Sequence, residues 1–218
     1  MSDYYSKARR EILPHIPTHI QTVLDIGCGT GVTCALIRSC FSSVRWMGGV
    51  EKFPDAAQQA ETVLDQVWCG DLETMQFEQE LAKGSLDLIL CLDVLEHLVD
   101  PWRLVERLSP LLSENGRLII SIPNIRNWKF IRNLFFKGDF HYRDAGLLDR
   151  THLRFFVRDT AQALAECGHL QTLYIGNAHP WKIFDFRNTL SVLTLRKLDD
   201  LMIKQYVVVA VHPKNVPH

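Results

Sequence analysis

No stretch of the 218-residue sequence stays apolar long enough to cross a bilayer: its longest runs, LDLILCLDVL and YVVVAV, are of strand length or interrupted by Asp. The first residues, MSDYYSKARREIL, hold no apolar core of the secretory kind. These absences predict a cytoplasmic chain without a transmembrane segment. An excess of one charge sign is missing as well, with 24 Lys+Arg against 25 Asp+Glu and a formal net charge of -1, so no bulk attraction to a polyanion is implied. No C-x-x-C pair occurs among Cys28, Cys34, Cys40, Cys69, Cys91 and Cys167, which are predicted to be reduced thiols lying mostly in the core. Cys28 sits in a glycine-rich turn as a small residue and is assigned no chemistry. Internal repeats and low-complexity tracts are absent. What remains, 47% hydrophobic and 22% charged, is ordinary globular composition, sufficient for one α/β domain over residues 1–218.

Apolar runs of strand length alternate with helix-period segments over the first 123 residues, the pattern of βαβ units and a parallel sheet. TVLDIG (22 to 27) predicts the first strand and Thr30 to Cys40 the helix after it. VRWMGGVE, ending at Glu51, predicts the second strand, and Pro54 opens the helix DAAQQAETVL. QVWCGD gives a short third strand. LDLILCLD (86 to 93) is the fourth, and its nearly continuous apolar character predicts burial on both faces. A helix is expected from Asp93 onward, and Glu114-Asn115-Gly116 predicts a turn before the fifth strand, RLIISIP. Residues 124–158 then carry eight Lys+Arg and three Asp+Glu, interleaved with Trp128, Phe130, Phe135, Phe136, Phe140 and Tyr142, and predict an insert over the sheet's carboxyl edge. A helix from Asp159 to Cys167, stopped by Gly168, leads to the strand HLQTLYIG, and IKQYVVVAVH closes the fold. Between those strands, residues 178–201 with Trp181, Phe184 and Phe186 predict a partly amphipathic segment facing substrate, a membrane surface or a second subunit, which leaves a homodimer open.

VLDIGCGTG sets Gly27, Gly29 and Gly31 between a strand and a helix, where missing side chains let a ligand approach backbone N–H groups. Glu51 ends the next strand about 20 residues on, where a ribose diol needs a carboxylate acceptor. The spacing G-x-G-x-G departs from the dinucleotide pattern G-x-G-x-x-G. Asp25 before the first glycine, the Gly70-Asp71-Leu72 step, and a fourth strand running into DVLEHL depart further from a nicotinamide enzyme.

On VLDIGCGTG (23 to 31), Glu51, CGDLE (69 to 73), LDLILCLDVLEHLVDP (86 to 101) and LSPLLSENGRLIISIPN (108 to 124), the chain resembles class I S-adenosylmethionine-dependent methyltransferases over nearly its whole length. The branch it resembles includes ubiquinone-type O-methyltransferases. The resemblance implies a Rossmann-like, doubly wound α/β fold with a seven-stranded, mostly parallel sheet whose last strand is antiparallel, here with a lid insert after the fifth strand. It implies S-adenosylmethionine as cofactor. Gly27, Gly29 and Gly31 would then contact the methionine part, Asp25 support its amino end, Glu51 bind the ribose hydroxyls, and Asp71 with Leu72 meet the adenine. Lys52 and Leu92 fall in the same implied cofactor site. Residues 1–20 resemble an N-terminal lid helix, from which Tyr4 and Tyr5 would close over the cofactor.

An alcohol acceptor must lose its proton, so a base or a metal is expected near the fourth strand's carboxyl end. Asp93, Glu96 and His97, spaced i, i+3 and i+4, are predicted on one helical face there, and His152 in DRTHLRFF returns after the insert. Asp93, His97 and His152 are the candidate catalytic residues. Asp93, Glu96, His97 and His152 together are a candidate divalent-metal set, similar to that of small-RNA 3'-end 2'-O-methyltransferases but with Asp in the first place and without extensive RNA-binding elements. A metal-free histidine base and catalysis by positioning alone are the other readings.

Arg126, Lys129, Arg132, Arg143 and Arg154, with Trp128 or Tyr142 as a stacking ring, read either as a surface for a phosphate-bearing or carboxylated acceptor or as solvated stems over apolar surface. Nucleic acid lacks a supporting motif, and no Asn-Pro-Pro-aromatic tetrad follows the fourth strand, which counts against adenine N6 chemistry. SIPN followed by the insert and LLDRTHLRFF resembles bacterial methyltransferases of surface-glycan and secondary-metabolite pathways. The activity expected is methyl transfer to a hydroxyl of a small-molecule or glycan-like acceptor. The alternatives are N-methylation of a small amine, metal-dependent RNA 2'-O-methylation, and cofactor binding without turnover.

Overall fold

The computed structural model describes residues 7–179 and 198–216, together with Arg187, Ser191, Leu193 and Thr194. Its strands are β1 (Thr22–Ile26), β2 (Trp46–Glu51), β3 (Gln66–Cys69), β4 (Leu86–Leu92), β5 (Leu112–Pro123), β6 (Gln171–Asn177) and β7 (Gln205–Val211), in the spatial order β3-β2-β1-β4-β5-β7-β6. β1 to β5 pair in parallel, and β7 runs antiparallel to both β5 and β6. The expected fold is therefore present, including the antiparallel last strand. β1 lies beside both β2 and β4, so the chain winds outward to β3 and then back. The carboxyl ends of the strands at that reversal are where open sheets of this kind bind ligands.

Continuous apolar strands arise because both faces of the sheet are covered. Along β4, Ile89 and Cys91 join a core with Leu24, Ile26, Leu104, Leu108 and Leu164, while Leu88 and Leu90 join the opposite one with Val23, Cys34 and Ile37. The helices that supply these covers are α1 (Val32–Cys40), α2 (Pro54–Ala60), α3 (Pro101–Leu108) and α5 (Arg158–Glu166); α4 (Trp128–Lys137) and α6 (Asp199–Met202) complete the described α-helices. α3 starts sharply because Pro101 suits a first turn and the Asp100 carboxylate accepts the Arg103 N–H at 3.1 Å. None of the described helices is long and apolar enough to cross a membrane.

Several local expectations are corrected. After Asp93 the chain forms only a 3-10 turn, Leu95–His97, and Leu98 is already extended, because Asp93 itself takes a left-handed conformation (φ 58°). Glu114, Asn115 and Gly116 stay within β5 as an irregularity in which pairing steps from Leu86 with Leu112 to Leu88 with Arg117. A side chain at Gly116 would stand 2.6 Å from the Leu86 carbonyl oxygen, so the glycine serves close strand approach rather than a turn. Among the described residues of the N-terminal segment, a 3-10 helix spans Arg10–His15 with Pro14 inside it, and residues 1–6 of the expected lid lie outside the described residues. Cys28, Cys34 and Cys91 are buried, but Cys40 and Cys69 are exposed and Cys167 is half-buried, since these three lie at or just past the ends of their elements. Tyr4, Tyr5, Trp181, Phe184 and Phe186 lie outside the described residues.

α5 ends before Gly168, and the left-handed residue that follows is His169 (φ 58°). Gly168 is needed for a different reason: a Cβ there would sit 2.6 Å from Ser109 Cβ and Oγ and 3.1 Å from the Val105 carbonyl oxygen. Gly168→Ala should therefore destabilise the protein by about 1–3 kcal/mol through overpacking. Denaturant unfolding measures this, and an unchanged midpoint would show that the Ser109 turn yields freely.

Candidate functional site

The turn after β1 is built on backbone conformations that suit glycine. Gly27, Gly29 and Gly31 have φ of 73°, 55° and 81°. A methyl group at Gly27 would also overlap Val94 Cγ2. The Gly27 and Cys28 N–H groups donate to the Val50 carbonyl at 2.8 and 3.1 Å, and Gly31 caps α1. The turn is thus fastened to β2 while leading directly into a helix.

Glu51, 4% exposed at the end of β2, completes the fastening. Its Oε2 accepts the Gly29 N–H and its Oε1 the Phe53 N–H, both at 2.9 Å. Each carboxylate oxygen keeps a further lone pair for a ligand hydroxyl. Asp25 lies behind the turn, 2% exposed, and among the described residues accepts only a thiol hydrogen bond, from Cys34 Sγ at 3.5 Å. Burial pushes the Asp25 carboxyl up to about 7, against the Cys34 hydrogen bond, and the Glu51 charge raises it further. Lys52 and Asp71 form an exposed pair at 2.9 Å. That pairing, with a hydrogen bond from the Glu73 N–H, lowers the Asp71 pKa. Leu72 is half-buried against the core, and its carbonyl accepts from Arg107 Nη1 at 2.9 Å. Leu92 is half-buried at the end of β4.

The expected Asp93, Glu96, His97 and His152 group divides in two. Asp93 does not share a helical face with the others. Its carboxylate is held by the Arg9 guanidinium, the Gln205 amide and Ser121 Oγ, and Arg9 Nη2 also reaches Ser121 Oγ at 2.9 Å. Arg9 and Gln205 were not among the sequence candidates. Gln205 left a trace as a polar residue opening an otherwise apolar strand, whereas nothing near Arg9 in sequence announces its partner 84 positions away.

Glu96, His97 and His152 converge, each offering a ligand atom within 4.8 Å of the others. Glu96 is 1% exposed and neither carboxylate oxygen has a partner among the described residues. Burial, then the Asp93 charge, raises its pKa well above the carboxylate range. Its carbonyl oxygen accepts from the Leu153 and Arg154 N–H groups at 2.8 and 3.0 Å, which fixes the returning insert. His152 Nδ1 lies 3.1 Å from the Leu147 carbonyl, and His97 Nδ1 lies 3.2 Å from the Thr151 carbonyl and 3.0 Å from its Oγ1. With Nδ1–H given to a carbonyl, Nε2 of each ring carries the free lone pair. The rings meet edge to face at 4.7 Å. Burial, then His152, lowers the His97 pKa, so that its ring is neutral at pH 7.

Of the insert's cations, Arg154 does not face an open site: its Nε donates to the Val99 carbonyl at 3.1 Å and its guanidinium lies over Trp102. Arg132 lies 4.6 Å from the Trp128 ring centroid, and Arg143 pairs with Asp139 at 3.3 Å. Trp128 and Tyr142 are exposed.

A family model described as a methyltransferase domain matches residues 1–172. The ubiquinone biosynthesis O-methyltransferase of Coxiella burnetii (strain RSA 331 / Henzerling II) is 27% identical over 171 residues, 72% of this chain and 66% of the relative, so the chain spans just under two thirds of that protein. The trans-aconitate 2-methyltransferase of Escherichia coli O7:K1 is 29% identical over 124 residues, 56% of this chain and 47% of that one. Among solved structures, a SAM-dependent methyltransferase from Archaeoglobus fulgidus matches with a TM-score of 0.66 at 17% identity, covering 95% of this chain and 96% of its own. An S-adenosylmethionine-dependent methyltransferase from Mesorhizobium loti matches with a TM-score of 0.61 at 15% identity, covering 94% and 99%. At these identities the structural likeness establishes the fold.

Asp25 holds its proton to about pH 7 when folded, whereas an unfolded carboxyl loses it near pH ~4. Between those values the folded state binds more protons, so the Asp25 contribution to stability is complete at the acid end and is lost as pH rises toward neutrality. Glu96 acts with the same sign, so the measurement is a difference. Wild-type unfolding free energy minus that of Asp25→Asn should fall as pH rises from about 4 to about 7. Parallel pH curves from denaturant unfolding would overturn this.

Proposed function

The chain belongs to the methyltransferase-domain family, and from that premise we propose that it transfers a methyl group from S-adenosylmethionine to a hydroxyl of a small-molecule or glycan-like acceptor. The observation that carries the cofactor assignment is the buried Asp25 carboxyl, which has no cationic hydrogen-bond partner among the described residues, set behind a turn whose Gly29 N–H meets Glu51. Asp25 suits the amino end, the free lone pairs of Glu51 suit a ribose diol, and Gly27, Gly29 and Gly31 allow close approach of the methionine part. Asp71 with Leu72 suits the adenine in this reading, and Lys52 and Leu92 fall in the same cofactor site. Tyr5 lies outside the described residues. The cofactor supplies an electrophilic methyl group on a sulfonium, whose C–S bonding pair stays with sulfur as the O–C bond forms.

A hydroxyl is favoured over an amine because it must also release a proton, and two imidazoles, that of His97 with a lowered pKa, stand at the strand edge to take it. His97 and His152, each oriented through Nδ1 by a carbonyl, are the proposed proton acceptors at Nε2. Asp93, paired with Arg9, is a positioning residue for that edge. A cytoplasmic location fits the six free thiols.

One observation favours a second reading: buried polar atoms without partners call for an ion or a water. Glu96 has both carboxylate oxygens in that state beside His97 and His152. Two imidazoles and one carboxylate would hold a divalent ion, which when bound would acidify the acceptor hydroxyl.

Two measurements test these readings. Calorimetric titration with S-adenosylmethionine should show Glu51→Ala binding about 1.5–3 kcal/mol more weakly, and unchanged affinity would remove the proposed cofactor site. Methyl transfer, followed by mass spectrometry over a panel of hydroxyl acceptors, should survive thorough chelation and fall strongly in His97→Gln and His152→Gln. Loss on chelation, restored by a stoichiometric divalent ion, would instead establish the metal reading. Retention of activity by both histidine variants would overturn the base assignment.

A further inference from the structure

The described residues include fifteen exposed large hydrophobics, and nine of them, Trp128 to Phe155, lie in the insert. They concentrate on α4, where none of the ten residues is buried. Trp128, Ile131 and Phe135 follow i, i+3 and i+7 and form one stripe with Leu134, so the apolar face of this amphipathic helix meets solvent. Phe135 and Phe136 are 79% and 77% exposed. Arg126, Lys129, Arg132 and Lys137 border the stripe and form no salt bridge among the described residues. From 126 to 143 the chain has five Lys+Arg and one acid, Asp139, inside a protein whose net charge is -1.

The helix is held firmly enough to present that face. Asn127 caps it by accepting the Lys129 N–H at 3.2 Å, and Gly138 closes it in a left-handed conformation. At its base, buried Asn124 and Asn127 donate to the Ile203 carbonyl at 2.9 and 3.1 Å, tying the insert to the segment before β7.

We propose that α4 is an interfacial helix that docks the protein peripherally on an anionic lipid bilayer, with Trp128, Ile131, Leu134 and Phe135 in the acyl boundary and Arg126, Lys129, Arg132 and Lys137 among the headgroups. Charge selects this occupant. A second copy of the chain paired symmetrically through the same face would set its cations against an identical set. A single-stranded nucleic acid would match the charge but gain nothing by stacking on Ile131 and Leu134, whereas hydrocarbon accommodates aliphatic and aromatic side chains alike. The inference is independent of which acceptor is methylated.

Co-sedimentation of the full chain with vesicles tests it. The wild type should pellet with phosphatidylcholine vesicles containing phosphatidylglycerol, less with phosphatidylcholine alone, and less as salt is raised. Phe135→Ser with Phe136→Ser should lower partitioning by more than about tenfold while leaving the thermal midpoint unchanged, since both rings are exposed. Lys129→Gln with Lys137→Gln should flatten the salt dependence. Failure of the wild type to bind either vesicle, or undiminished binding by the Phe variant, overturns the proposal. So does a lipid-free dimer that the Phe substitutions dissolve, or retention of a single-stranded RNA oligonucleotide without vesicle binding.

Discussion

The site depends on one carboxylate. Glu51, at the end of β2, takes the Gly29 N–H on one oxygen and the Phe53 N–H on the other, which joins the turn after β1 to the loop after β2 across two parallel strands. Hydrogen bonds to a charged group contribute about 1.5–3 kcal/mol each, enough to hold a glycine-rich turn that would otherwise gain much entropy by opening. The same bonds fix where α1 begins, because Gly31 lies two residues beyond the fastened Gly29. Asp25, close enough for its charge to be felt, cannot be ionised there as easily as in water. The protein therefore keeps its second buried carboxyl largely neutral at the acid side of pH 7, with no cation hydrogen-bonded to it among the described residues, which is the condition an ammonium-bearing ligand would relieve.

The other carboxylates are separated by a single backbone conformation. Had Asp93, Glu96 and His97 continued a helix from β4, three ligating side chains would point one way. The left-handed φ of Asp93, which Asp tolerates better than most residues, turns its carboxylate to Arg9, Ser121 and Gln205 and leaves Glu96 to face the histidines. Asp93 thereby ties together the N-terminal segment, β5 and β7 through Arg9, Ser121 and Gln205. Glu96 receives no such partner, and the charge on Asp93 adds to the burial that raises its pKa.

What was legible in the sequence follows from this division between local and distant causes. The sheet could be read because its strands are buried on both faces, so LDLILCLD and YVVVAV stay apolar throughout. The glycine turn and Glu51 could be read because strand, turn and helix succeed one another in order. The spacing of Asp93, Glu96 and His97 fits a helix and a 3-10 turn equally for so few residues, and only tertiary pairing with Arg9 and Gln205 decides it. Asn115-Gly116 carries a turn's composition, yet Gly116 is there because the Leu86 carbonyl leaves no room for a side chain. Gly168 was placed correctly as a constraint and for the wrong reason, since the contact with Ser109 is invisible along the chain.

The two parts of the insert obey different physics, and that explains why its composition was ambiguous. Its later part is structural: Leu153 and Arg154 donate to the Glu96 carbonyl, Thr151 meets His97, and the guanidinium of Arg154 is consumed by Val99 and Trp102. These contacts use up cations that sequence alone would offer to a ligand. Its earlier part has its own caps, an orienting base at Asn124 and Asn127, and an apolar stripe with no described core to enter. A helix of ten residues is too short to be stable by propensity, so fixed caps and buried asparagines must hold a face that contributes no burial of its own. Such an arrangement is costly for a free monomer and makes sense when the face is covered in use. The same insert carries Thr151 and His152 back to His97, so one segment bears both the exposed face of α4 and part of the edge where the proposed proton acceptors stand.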